Sequence, residues 1–198
     1  EKNTEQDWLK TNLARFTGML QGQRDLTAVG QLLLGEVVPL INAHQGVIYQ
    51  LDSEATPVLK ILASYADAHE KAYPPVLRLG EGFIGQCARD KPHLLVSDVP
   101  KDTVPVGSVF FQALPRNLVV LPVVFEGQIK AVLGLASLND FSATHLAFVE
   151  QLTLSIGIVL NSIEATMQTE GLLKQSQQLA GELQTQQKEL QQTNEQPA

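Results

Sequence analysis

The sequence reads as an α+β protein: an antiparallel sheet with helices packed on one face, flanked by long N- and C-terminal helices. Three observations carry that reading. Apolar residues recur at helical spacing through residues 4–42 and again through residues 142–194. Between these stretches lie short apolar runs rich in β-branched and aromatic residues, bounded by Gly, Pro and Asp turn signals. The strand candidates also follow one another in a run, rather than alternating regularly with helices as a parallel sheet would require.

In the first stretch, Leu9, Leu13, Phe16 and Leu20 follow a four–three–four spacing, the pattern of a seam between two helices. Gly22 follows, and a second apolar set, Leu26, Val29, Leu33 and Val37, ends against Pro39. Outside its narrow stripe the first half is polar. It is therefore read as a dimerising lead-in helix over residues 1–25, against the alternative of an amphipathic helix packed on its own domain.

From Gly46 the period changes. Residues 47–51 and 58–65 are strand candidates joined by a turn, and the polar loop 66–75 closes on Pro74 and Pro75. Gly80 and Gly82 suit a tight turn into a short helix whose buried face is Phe83, Ile84, Cys87 and Ala88. Residues 94–96 read as a short strand. Residues 99–116 are irregular and contain the pair Phe110 and Phe111. The clearest hairpin follows, residues 117–125 and 128–137 joined by Glu126-Gly127.

The last helix begins after Ser142 and continues to about residue 194. At about 1.5 Å per residue it would run roughly 75 Å, so its far end is expected to lean on another helix. Ile156, Leu160, Ile163 and Met167 follow one register, and Leu172, Leu179, Leu183 and Leu190 another. The five-residue step from Met167 to Leu172 breaks the phase. Gly171 inside that step is expected to make a slip point in a dimeric relay.

Bulk properties exclude several classes. A net charge of −7 and a pI near 5.0 argue against nucleic-acid binding, which needs clustered Lys and Arg. The single cysteine, Cys87, cannot form an internal disulfide and fits a reducing compartment. The longest uninterrupted apolar run, residues 118–125, contains Pro122 and is far short of a membrane span. No secretory leader is expected, and a start without Met suggests a piece of a longer protein.

The stretch Leu79-Gly80-Glu81-Gly82-Phe83-Ile84-Gly85, followed by Leu94-Leu95-Val96-Ser97-Asp98-Val99, resembles the middle of a GAF domain. Val119-Val120-Leu121-Pro122-Val123 with residues 126–134 is similar to the GAF central hairpin, and the likeness covers residues 26–165. Residues 7–16 resemble the helix leaving a HAMP module. Residues 179–195 resemble the coiled coil that enters the phosphoacceptor region of bacterial sensor histidine kinases, often hybrid ones. The resemblance implies a cytoplasmic, homodimeric sensor domain, residues 26–165, between HAMP and kinase domains of a parent anchored in the inner membrane. Residues 166–198 would be its coiled-coil signalling helix. The dimer would be held by Leu9, Leu13, Phe16, Leu20, Ile156, Leu160, Ile163, Met167, Leu172, Leu179, Leu183 and Leu190.

In GAF domains a ligand sits between the sheet and the irregular segment, here residues 98–116. That resemblance nominates Asp98, Phe110, Phe111 and Arg116 on one side, with Tyr49, Tyr65 and Phe83 on the other. Aromatic walls with a few polar groups suit a small, partly apolar ligand, while the alternative is that these rings only fill the core. The signature of cyclic-nucleotide-binding GAF domains is missing, since Leu138-Asn139-Asp140-Phe141 lacks its lysine. Bilin-bearing GAF domains carry a Cys-His pair, whereas Cys87 precedes Ala88. Cys87 is read as a buried structural thiol.

No metal is expected, because no second cysteine exists and His44, His93 and His145 are scattered. His69-Glu70 with Pro74 only faintly mimics a phosphoacceptor box, being in a loop without nucleotide motifs downstream. No triad or paired-carboxylate spacing is present, so the chain itself is expected to lack enzyme activity. A second functional expectation is a degenerate GAF domain that binds nothing and acts as a structural connector.

Overall fold

The computed structural model describes residues 2–66, 73–91, 93–97, 99–102, 105–107 and 112–195. Helices α1 (Lys2–Leu20) and α2 (Leu26–Leu40) precede strands β1 (Gln45–Asp52), β2 (Val58–Tyr65) and β3 (Val76–Arg78). Helix α3 (Gly82–Asp90) and strand β4 (Leu94–Val96) follow, then the short strands β5 (Val106–Gly107) and β6 (Gln112–Ala113). Strands β7 (Asn117–Phe125) and β8 (Gln128–Ser137) lead into helix α4 (Ala143–Asn194). One antiparallel sheet has the order β3-β2-β1-β8-β7-β4, and β5 pairs with β6 separately.

Local chemistry sets these boundaries. Glu126 and Gly127 both adopt positive φ, 49° and 77°, which makes the two-residue turn whose twist matches a hairpin. The first helical stretch divides at Gly22, where φ is 78°. Asp25 then caps α2, its Oδ1 accepting a hydrogen bond from the Thr27 N–H at 3.0 Å. Ser142 caps α4 in the same way, accepting from the His145 N–H at 3.0 Å.

The two faces of the sheet have different covers. A Cβ at Gly30 of α2 would meet Ala63 and Ile48, and one at Gly157 of α4 would meet Val123 and Val124. Both helices therefore lie on the face carrying Ile48, Ala63 and Val123. Short α3 covers the opposite face, where Ile84 and Val47 both approach Gly134. The cluster on that side comprises Val47, Tyr49, Leu59, Cys87, Ala88, Val120 and Val132. This second cover gives the sheet two buried faces, which is why β7 and β8 are almost wholly buried.

The chain divides into two compact units, Glu1–Asn161 and Ser162–Ala198. Helix α1, expected as a separate lead-in, belongs to the first unit. Its Phe16 ring packs edge-on against Phe148 at 5.4 Å, and Trp8 meets His145 and Phe148 at 5.3 and 5.4 Å. The C-terminal half of the α1 stripe, Phe16 and Leu20, is thus buried within the same chain, with Phe16 against α4. By length and composition one stretch of α4 could cross a membrane; the helix also supplies the core residues Phe148, Val149, Leu152 and Ile156. Most of the expected loop over residues 66–75, including His69 and Glu70, lies outside the described residues.

Candidate functional site

The face of the sheet beneath α3 carries a cavity of about 540 Å3. Strand β1 contributes Gln45, Val47 and Tyr49, one residue in two, because alternate side chains of a strand share a face. Val120 and Gly134 contribute from β7 and β8, while Phe83, Ile84 and Gln86 come from α3. Tyr73, Pro74 and Leu77 close one side, and Pro100 and Asp102 reach the cavity from the irregular segment. The volume lies within the range of about 300–1,000 Å3 usual for small-molecule sites.

The turn into α3 is held tightly. Gly80 has φ 86° and donates its N–H to the Gly85 carbonyl at 2.7 Å, and Gly85 donates to Glu81 at 2.9 Å. Glu81 returns its carboxylate to the backbone, accepting from the Arg78 N–H at 2.9 Å. A Cβ at Gly85 would run into the Arg78 carbonyl oxygen, so no larger residue fits without moving the turn.

The deepest polar groups of the cavity are engaged within the chain. Gln45 is buried, and its Nε2 donates to the carbonyls of Ala66 and Pro105 at 3.3 and 3.1 Å. Its Oε1 accepts from the Tyr73 hydroxyl at 3.3 Å, and the Tyr49 hydroxyl donates to the Pro74 carbonyl at 2.7 Å. These bonds satisfy buried donors and anchor the loop backbone to the strand.

The sequence model of the GAF domain matches residues 23–161, well over half of the chain. The chain belongs to the GAF domain family. Solved structures share the fold at low identity. The GAF domain of Acinetobacter phosphoenolpyruvate-protein phosphotransferase is 16% identical, with 77% of this chain and 92% of that chain covered and a TM-score of 0.64. Free methionine-R-sulfoxide reductase from Neisseria meningitidis, solved with its substrate, is 16% identical over 78% and 89% of the two chains, with a TM-score of 0.63. Residues 122 to 287 of a methyl-accepting chemotaxis protein are 20% identical over 76% and 98%, with a TM-score of 0.58. No curated protein sequence matches the chain.

The GAF domain brings two of the seven nominated ligand residues, Tyr49 and Phe83, to the cavity. Tyr65 sits at the end of β2 opposite Gly46 and does not line it. Nor does Arg116, which is exposed and paired with Asp140 at 3.2 Å. Asp98, Phe110 and Phe111 lie outside the described residues. Gln45, Tyr73, Gln86 and Asp102 line the cavity without having been singled out. The period of two through Tyr49 and Val47 is a signal that reaches Gln45, but nothing local marks Tyr73 or Asp102.

Cys87 is fully buried in the cluster beneath α3, and burial pushes its thiol up to about 12. His93 lies 3.4 Å from Glu150 on the surface, whereas His44 Nδ1 accepts from the Leu138 N–H at 3.3 Å. Among the described residues no three His, Cys, Asp or Glu side chains converge on a metal position.

The residues nominated for a dimer seam separate into two groups. Phe16, Leu20, Ile156, Leu160 and Ile163 are buried in the single chain, and Leu9 and Leu13 are half-buried. The five buried residues are core residues and cannot also form an exposed seam. Met167, Leu172, Leu179, Leu183 and Leu190 are exposed. At 3.6 residues per turn the last four fall within about 40° of one another on the second unit. The change from covered to exposed residues thus falls between Ile163 and Met167, before the five-residue step at Gly171. Helix α4 passes through Gly171 without interruption.

Proposed function

We propose that this GAF domain is the sensing and relay module of a two-component sensor histidine kinase, binding a small ligand beneath α3 and acting as a cytoplasmic homodimer. The observation that carries the reading is the coexistence of a lined cavity and an exposed leucine stripe in one chain. Leu172, Leu179, Leu183 and Leu190 each leave a large apolar surface in water, and a twin helix is the simplest cover for a stripe of this period. Glu182 and Glu189 flank the stripe on one side, and Ala180 and Gln187 on the other. A parallel pair sets unlike flanks together, whereas an antiparallel pair opposes the acidic flanks, so the charges favour the parallel arrangement.

Placement between HAMP and kinase domains rests on the resemblance of residues 7–16 and 179–195 to those flanking segments. Ligand binding would favour one arrangement of the sheet and α4 over another, by no more than the ligand's differential affinity for the two. A thermal-shift screen of nucleotides, amino acids and aromatic metabolites against the purified chain tests the sensing role, since a specific ligand raises stability by mass action. Autophosphorylation of the parent chain with radiolabelled ATP tests the kinase assignment. Acid-labile, base-stable label is expected; its absence would remove the kinase from the reading.

A second reading is favoured by the engagement of Gln45 and Tyr49 with backbone carbonyls. A cavity whose buried polar side chains are already bonded within the chain needs no ligand to satisfy them, and the domain would then be a connector between flanking helices. A flat screen with preserved dimerisation is the result expected of a connector.

A further inference from the structure

We propose that the cavity beneath α3 takes a neutral or singly cationic ligand with a flat apolar body and excludes anions. The inference rests on the reading of this cavity as the sensory site. The charge inventory of the lining comes first. Among the described residues that line the cavity there is no Lys, Arg or His, and the one ionisable carboxylate is Asp102. Asp102 is exposed, so it stands at the mouth, where it can meet a cation without being dragged out of water.

The guanidinium beside the Gly80 turn is already paired. Arg89 packs its Nη1 against Gly80, while its Nε and Nη2 donate to Asp90 Oδ1 and Oδ2 at 3.0 and 2.9 Å, so its charge is balanced within the chain. The other electropositive feature is the amino end of α3, where Gly82 and Phe83 reach the cavity. There the residue at the cap position is Glu81, whose own carboxylate sits beside the first turn and accepts from the Arg78 N–H. An anion entering would meet that charge and the Asp102 charge on a chain that already carries −7 overall. Transfer of an unpaired anion to an apolar site is strongly unfavourable.

The body of the ligand follows from what is left once the buried polar groups are engaged. The amide of Gln45 and the hydroxyl of Tyr49 are bonded within the chain and Gln86 is exposed, which leaves the side chains of Val47, Val120, Ile84, Leu77 and Phe83 as the inner contact surface. Such walls reward a flat hydrocarbon or heteroaromatic ring and offer little to a sugar or a peptide.

Indole, tryptamine and indole-3-acetate share one ring and differ in charge at neutral pH, so they isolate the two parts of the proposal. Calorimetric titration of the purified chain, with backbone amide shifts followed by NMR, is expected to show indole and tryptamine binding with shifts at Val47, Phe83 and Val120. Tryptamine should bind up to about fivefold tighter than indole, the scale of an exposed charge pair. Asp102→Asn should erase that advantage while leaving indole binding unchanged, and as a change at an exposed position it leaves the core intact. Indole-3-acetate binding in the cavity as tightly as tryptamine would overturn the charge inference and leave the sensory reading standing. The same holds for an anionic hit from the metabolite screen that shifts the same amides. Silence from all three probes at millimolar concentration overturns the inferred ligand class, and the sensory reading itself falls only if the metabolite screen is flat as well.

Discussion

Gly157 of α4 crosses Val124 of β7 so closely that a Cβ at residue 157 would stand 2.6 Å from the Val124 carbonyl oxygen. The obstacle is backbone, which cannot rotate away as a side-chain tip could. The bulge between Val123 and Val124 brings this part of the strand to the helix. Gly157→Ala should therefore destabilise the domain by about 1–3 kcal/mol, although alanine is the better helix former. Thermal melts check this. Gly171→Ala is the control: nothing lies within 4 Å of a Cβ there, so that change should be neutral or stabilising by up to about 1 kcal/mol.

The exposed stripe of the second unit and the buried face of the first respond differently to charge. Leu179→Lys combined with Leu183→Lys should shift the chain towards monomer in multi-angle light scattering without lowering the melting temperature of the globular unit. Ile156→Lys places an unpaired charge in a residue with no exposure and should unfold that unit. A dimer that survives the double lysine variant would rule out the leucine stripe as its seam.

Cys87 has a thiol pushed up to about 12, above its ordinary value near 9.0, because burial disfavours the thiolate. The folded state thus keeps a proton that the unfolded state releases between those values. Its contribution to stability is whole below about pH 9 and is lost as pH rises towards about 12, with a slope no steeper than about 1.4 kcal/mol per pH unit. Urea melts across that window should show the loss, and Cys87→Ala should flatten it. At pH 8 the native thiol should react with a disulfide reagent only as fast as the domain opens.

His145 moves in the opposite sense to a paired histidine. Desolvation beside Trp8 lowers its pKa, and a hydrogen bond involving the Ile41 backbone raises it by less. The unfolded chain binds a proton more readily, so stability is present above the ordinary histidine value of 6.5 and falls as pH drops below it. His145→Gln should weaken this acid dependence, read through Trp8 fluorescence during unfolding at pH 5 and pH 7.5. An unchanged pH profile would show that the Trp8 contact does not bias the imidazole.

Much of the fold was legible because several boundaries are written in local chemistry. The hairpin of β7 and β8 follows from two long apolar runs and a Glu-Gly dipeptide that tolerates two positive φ angles. The turn at Gly80 and Gly82, the strand over Val58–Tyr65 and the start of α4 after Ser142 were equally readable. The cavity was legible only in part. Tyr49 and Phe83 belong to regular elements whose faces can be counted, whereas Tyr73 and Asp102 reach it from irregular chain, where position follows from tertiary folding. Arg116 was misplaced for the same reason: an arginine beside a strand end can turn inwards or outwards, and here Asp140 holds it outside.

The order of the longer elements, the antiparallel hairpin and the membership of the GAF domain family were determined by the sequence alone, since they rest on periodicity, turn residues and motif, whereas the two- and three-residue strands β3, β5 and β6 were not. Which partner each apolar face finds was decided only by tertiary structure. Phe16 and Ile156 carry the same helical spacing as Leu179 and Leu183, yet the first pair is buried in the chain and the second is exposed. Periodicity reports that a helix has an apolar side; what covers that side depends on which surfaces the whole chain brings together.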